Sequence, residues 1–132
     1  MKETYLFLDD IRMPIEAYSY TNFVPFISKK WDIVRHYNEF TSYIIKNGLP
    51  DFIAFDHDLG VEHYKSNDYW DQVYKSNIEL EEKTGFDCAK WLVEYCLDNN
   101  KKLPEYYVHS MNPVGKRNII EYLENYRKHE DR

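Results

Sequence analysis

Residues 52–60, FIAFDHDLG, constrain this chain most: four apolar residues in a row stop at two aspartates set two positions apart. A continuous aromatic and β-branched run this short is the pattern of a strand buried on both faces, as in a parallel sheet covered by helices. Asp56, His57 and Asp58 then fall at the strand's C-terminal end, and Gly60 can turn the chain away. Open α/β sheets place their ligands along that edge. Aspartates after a strand also serve to solvate turns, so this pair needs a second acidic cluster before it makes a site.

Residues 4–8, TYLFL, form another such run, and it too ends in acid, at Asp9-Asp10. Residues 31–36 (WDIVRH) alternate well enough for a strand near the sheet edge, and 106–108 read as a fourth strand ending at His109-Ser110. A helix is predicted over 39–46, stopped by Gly48 and Pro50. Thr84 caps a second over 85–99, whose buried side is marked by Phe86, Ala89, Trp91, Leu92, Tyr95, Cys96 and Leu97. The last helix starts at Asn112-Pro113 and carries Ile119, Ile120, Tyr122, Leu123 and Tyr126, before a charged tail that frays. Between the first two strands, Pro14 and Pro25 interrupt any long helix, so 11–30 read as irregular structure or short helical turns packed on the sheet.

Strands alternating with helices imply parallel pairing through right-handed crossovers, which collects every strand C-terminus on one edge. The predicted fold is α/β, a flavodoxin-like three-layer sandwich with a mainly parallel sheet of order 2-1-3-4. At 132 residues the chain fits a single domain, 1–132, with a long loop insertion at 61–83. Tyr64, Tyr69, Trp70 and Tyr74 in that loop either stack on a base or pack the loop onto the domain, and packing is the reading adopted.

The 13 Tyr, 7 Phe and 3 Trp argue against disorder. No apolar stretch reaches the length of a membrane span, and Met1-Lys2-Glu3 leads into a strand without a signal peptide's apolar core. Cys88 and Cys96 share one predicted helix and lack zinc-site spacing, which suits reduced thiols and an expected cytoplasmic location. A formal net charge of -6 argues against bulk non-specific binding of nucleic acid. A small nucleotide or an RNA end can still be held through a divalent metal with local Lys and Arg. Protein partners leave no signature in the sequence.

With the first strand beside the third, about 4.8 Å away, Asp9 or Asp10 would face Asp56, and His109-Ser110 would lie one strand further on. Clustered carboxylates in a low-dielectric cleft must bind a proton or a cation. An oxygen-only donor set suits a hard ion, Mg²⁺ or Mn²⁺, bridging to phosphate. Asp9, Asp10 and Asp56 are the expected ligands, and Asp58 offers a lesser contact or only a turn. Ser110, Asn112, Lys116 and the start of the last helix would hold phosphate oxygens, with Arg12 as a clamp. His109 reads either as a general acid or base whose charged form the carboxylates favour, or as a strand-end histidine satisfied by backbone. His57 should point to the other side of the strand, and His36, His63 and His129 receive no role.

LFLDDIR and IAFDHDLG resemble the receiver domains of two-component signalling. That resemblance implies Asp9 and Asp10 as metal ligands and Asp56 as phosphoacceptor, although the receiver's fifth strand and its lysine have no counterpart here. Over nearly the whole chain, LDDIRMP, FDHDLG, TGFDCAKWL and VHSMNPVGKRNI are similar to the cyclic-phosphate processing receiver-like family. This implies action on cyclic phosphate ends in RNA repair, with Asp9, Asp10, Asp56, His109, Ser110 and Asn112 as the working set. The expected function is a metal-dependent phosphoesterase acting on a cyclic or terminal phosphate of a nucleotide or RNA, with Asp56, His109 and Ser110 catalytic. The alternative is a non-catalytic or Asp-phosphorylated signalling module.

Overall fold

A computed structural model describes residues 3–59 and 83–130. The insertion at 61–83 lies outside them apart from Lys83, as do Gly60 and the loop aromatics Tyr64, Tyr69, Trp70 and Tyr74.

Four strands, β1 (Tyr5–Leu8), β2 (Trp31–Val34), β3 (Phe52–Phe55) and β4 (Glu105–Val108), are parallel, as the alternation of elements predicts, and pair in the order β2-β1-β3-β4 expected of a flavodoxin-like sheet. Leu8 lies in register with Val34 on one side and Phe55 on the other, and Phe55 with Val108. Successive side chains on a strand point to opposite faces, which splits the apolar runs into two cores. Leu6, Leu8, Ile53, Phe55 and Val108 enter one cluster, and Phe7 and Ala54 enter the other.

Helices close both faces. On the Phe7 face lie α1 (Pro14–Thr21) and α2 (Pro25–Ser28), which contribute Ala17 and Phe26. On the Leu8 face lie α3 (Tyr37–Asn47), α4 (Gly85–Asp98) and α5 (Pro113–Arg127), burying Phe40, Ile44, Leu92, Ile119 and Leu123. The result is the three-layer α/β sandwich that the buried strands required.

Of the two forms expected for the segment 11–30, the structure shows the short helical one, with Pro14 and Pro25 each opening a helix. At the first helical position the missing N–H costs nothing and the ring presets φ. Glu16 Oε1 accepts the Met13 amide at 2.9 Å, tying α1 to the turn before it. In α4, Thr84 and Asp87 cap each other reciprocally. Its buried stripe runs through Cys88, Ala89, Leu92, Val93 and Cys96, while Leu97, expected inside, is 62% exposed because it lies a further 100° or so around the helix from Cys96. Both cysteines are free and buried, and burial pushes their thiols up, Cys96 to about 11. Among the described residues no helix is long and apolar enough to cross a membrane.

Candidate functional site

The ladder continues one step beyond the strands. Asp9 N donates to Val34 O at 3.2 Å, Asp56 N to Leu8 O at 2.9 Å, and His109 N to Phe55 O at 2.9 Å. Asp9, Asp56 and His109 therefore form the next row across β1, β3 and β4, with the parity of Phe7, Ala54 and Tyr107. Carboxylate oxygens of Asp9, Asp10 and Asp56 all lie within 4.8 Å of one another. The three predicted acids thus converge as the strand order requires.

Asp9 is wholly buried and held from several sides. Its Oδ1 accepts the amides of Ile11 at 3.0 Å and Arg12 at 2.8 Å, closing the turn after β1. Its Oδ2 lies 3.1 Å from His109 Nε2 and 3.8 Å from Arg12 Nη1. Burial pushes this carboxyl up, but the His109 hydrogen bond and the two amides outweigh it and hold Asp9 below the ordinary aspartate range. Asp56 has no comparable set of donors. Burial, then the charges of Asp9 and Asp10, push it up to about 7 against the pull of the His57 amide and Arg12. Unequal donor sets thus give two neighbouring aspartates opposite shifts.

His109 differs from its expectation. The ring is 1% exposed, stacked on Phe7 at 4.7 Å between centroids and edge-on to Phe26 at 5.6 Å. Burial pulls its pKa down more than Asp9 lifts it, with Arg12 and Lys116 adding to the fall, so the carboxylates do not make it cationic. An ionised Asp9 can only accept, which places the imidazole proton on Nε2. Nδ1 is buried without a hydrogen-bond partner. The expected proton carrier is a neutral ring sealed beneath the site.

The cleft above is bordered by Asp10, Arg12, Asp56, Asp58 and Asn112, with Ile11, Met111 and Pro113 at its apolar margin. Arg12 bridges it: Nη2 approaches Met111 Sδ at 3.5 Å, and the guanidinium lies 5.4 Å over the Tyr20 ring. Asn112 caps α5 by accepting the Gly115 amide at 3.0 Å, and its Nδ2 donates to Asp58 Oδ1 at 3.2 Å. Since Pro113 has no N–H and that of Gly115 is taken, Val114 N–H is the amide left in the first three positions for an anion. Ser110 Oγ accepts the Asn112 amide at 3.1 Å, leaving its O–H as a donor. Val114, Lys116 and the buried Ser110 lie outside the lining of the cleft, and Lys116 Nζ sits 5.9 Å over the Tyr107 ring.

His57 lies behind Asp58. Its Nδ1 is 2.8 Å from Asp58 Oδ1, and the hydrogen on Cα of Gly115 gives its ring the room a methyl would fill. The Asp58 carboxyl sits below its ordinary range, chiefly because of that His57 contact. Asp58 therefore spends its oxygens on His57 and Asn112 and lies outside the three-carboxylate cluster.

Two contributors carry no role in the sequence reading. Arg35 Nη1 donates to Asp9 O at 3.0 Å and Arg12 O at 2.6 Å, bracing the turn from below. The signal that finds it is position, one residue beyond β2 on the edge that gathers the acids. Tyr20 OH donates to His109 O at 2.7 Å, and burial pushes its pKa up to about 12. No local pattern in α1 marks it.

No curated protein and no solved structure matches the chain. A family model, the cyclic-phosphate processing receiver domain, matches residues 4–125, from the first strand through most of α5. With the receiver-like sheet order and the acidic strand ends in place, this chain belongs to the cyclic-phosphate processing receiver domain family.

Proposed function

We propose that the protein is a metal-dependent phosphoesterase acting on a cyclic or terminal phosphate of a nucleotide or RNA end. The observation that carries this reading is the convergence of the Asp9, Asp10 and Asp56 carboxylates within 4.8 Å at the edge where open α/β sheets bind ligands. The donor set is all hard oxygen, and the unfavourable charge on Asp56 is what a cation relieves. Asp9, Asp10 and Asp56 would hold Mg²⁺ or Mn²⁺. Such an ion supplies Lewis-acid polarisation of a phosphoryl oxygen and lowers the pKa of water.

The chain's own groups divide the remaining work. Asp9 is kept ionised by His109 and two amides, so it serves as an anionic ligand at neutral pH. Arg12, bordering the cleft, binds non-bridging phosphate oxygens. Ser110 O–H and Val114 N–H, next in sequence to the cleft residues Met111 and Pro113, would add donors at the start of α5. His109 acts through Asp9, orienting it, instead of moving a proton at the leaving oxygen. Asp58 and Asn112 fix the rim.

A second reading has support from Asp56, which follows β3 directly where the receiver likeness puts its phosphoacceptor and which borders the open cleft. There the carboxylate would carry a phosphoryl group as a signal. Incubation with Mg²⁺ or Mn²⁺ and a panel of 2′,3′-cyclic and terminal phosphates separates the two. The enzyme reading expects metal-dependent turnover that chelation stops and Asp56→Asn lowers by about a hundredfold or more. Absence of turnover by the wild type, together with a mass gain of one phosphate after acetyl phosphate treatment, would establish the signalling role instead.

A further inference from the structure

Ile11 and Met111 are 73% and 64% exposed, yet both sit on turns fixed by hydrogen bonds. The Ile11 amide donates to Asp9 Oδ1 at 3.0 Å, and Met111 lies inside the turn that the Asn112 amide closes on Ser110 Oγ at 3.1 Å. Because β3 lies between β1 and β4, the turns that carry these two residues flank the end of β3 at Asp56, and both residues border the cleft. Pro113 extends the apolar margin next to Met111. A single exposed apolar side chain is ordinary. Two on rigid turns flanking a carboxylate floor match a ligand that is anionic at one end and flat and apolar at the other.

We propose that Ile11 and Met111 determine specificity, clamping the nucleoside of a substrate whose phosphate lies over the carboxylates beside Arg12. This rests on the phosphoesterase reading and sharpens it, since a phosphate without a base would leave the clamp empty. A free nucleotide and the last nucleotide of an RNA present the same group.

Steady-state kinetics test the clamp with three substrates: adenosine 2′,3′-cyclic phosphate, a short RNA ending in a 2′,3′-cyclic phosphate, and base-free glycerol 1,2-cyclic phosphate. Ile11→Ser and Met111→Ser are expected to raise KM for the adenosine substrate roughly tenfold with kcat nearly unchanged. Ile11→Val and Met111→Leu should stay close to wild type. On the glycerol substrate Ile11→Ser should match wild type, and Met111→Ser, which removes the sulfur that Arg12 Nη2 approaches, should lose less than it loses on the adenosine substrate. The same KM rise is expected on the RNA, and the lower wild-type KM identifies the natural source. Unchanged KM in the serine variants, or equal losses on base-containing and base-free substrates, overturns the clamp while the phosphoesterase reading stands. Wild type inert on all three substrates overturns both. A wild-type dimer that the serine variants convert to monomer, with kinetics unaltered, assigns the patch to a second copy and also overturns the clamp.

Discussion

His109 Nε2 lies 3.1 Å from Asp9 Oδ2, with both side chains fully buried. The contact joins β4 to β1 across β3, over a row in which Ala54 has only a methyl between Phe7 and Tyr107. A buried charge costs several kcal/mol unless it is hydrogen-bonded, and this imidazole is one of the groups that keep Asp9 ionised. His109→Ala is therefore expected to destabilise the fold by about 2–4 kcal/mol, from the cavity against Phe7 and the donor lost to Asp9. Urea denaturation measures the loss, and a Mg²⁺ titration should show weaker binding. A pH profile of turnover that loses one limb in His109→Gln, with metal affinity intact, would make His109 a proton carrier instead.

Asp56 gives a pH dependence of known sign. Its folded pKa of about 7 lies above the unfolded value, so its protonated form favours the fold. That contribution is complete below the unfolded pKa, about 4, and is lost as pH rises through about 7. Without metal, Asp56→Asn should be more stable than wild type at about pH 8 by roughly 2–4 kcal/mol, with the gap closing at about pH 4. Thermal melts in chelator across that range provide the check. A constant gap would mean that the Asp56 charge is not under strain.

Two glycines hold the walls of the site by having no side chain. A methyl on Gly85 would run into the Asp56 carbonyl, and one on Gly115 into the His57 ring. Gly115→Ala is expected to cost about 1–3 kcal/mol as His57 is displaced. Gly85→Ala should cost more, since backbone must move. Melting temperatures rank them, and equal stability of Gly115→Ala and wild type would show that the His57–Asp58 segment yields freely.

The apolar runs at 4–8 and 52–55 made the sheet legible because doubly covered strands leave no polar alternation, and the acids that stop them located the site edge. The strand order expected of a flavodoxin-like sheet is the one observed, and it brings Asp9, Asp10 and Asp56 together. Depth was not legible. A strand-end histidine resembles an exposed catalytic group in sequence, whereas Phe7 and Phe26 come from β1 and α2 to seal it, a contact no local spacing encodes. The same holds for Tyr20, whose hydroxyl reaches His109 O across 89 positions of chain. The prolines ruled out a long helix over 11–30 but left irregular structure and short helical turns both open, because a proline's effect depends on whether it falls inside a helix or at its first residue.

Tyr20→Phe isolates that long-range bond. Loss of the hydroxyl leaves His109 O without its donor and should cost about 1 kcal/mol. Chemical denaturation reads the difference, and an unchanged midpoint would show that water replaces the phenol at no cost.

Calorimetric titration of the protein with Mg²⁺ and Mn²⁺, in buffers of different ionisation enthalpy near pH 7, tests the carboxylate site most directly. One ion should bind per chain, with proton release because Asp56 enters binding partly protonated. Asp10→Asn should weaken binding, and Asp56→Asn should weaken it while removing the proton release. Absence of binding at millimolar metal, or binding that survives Asp56→Asn with its proton release intact, would contradict a metal site built from the three strand-end aspartates.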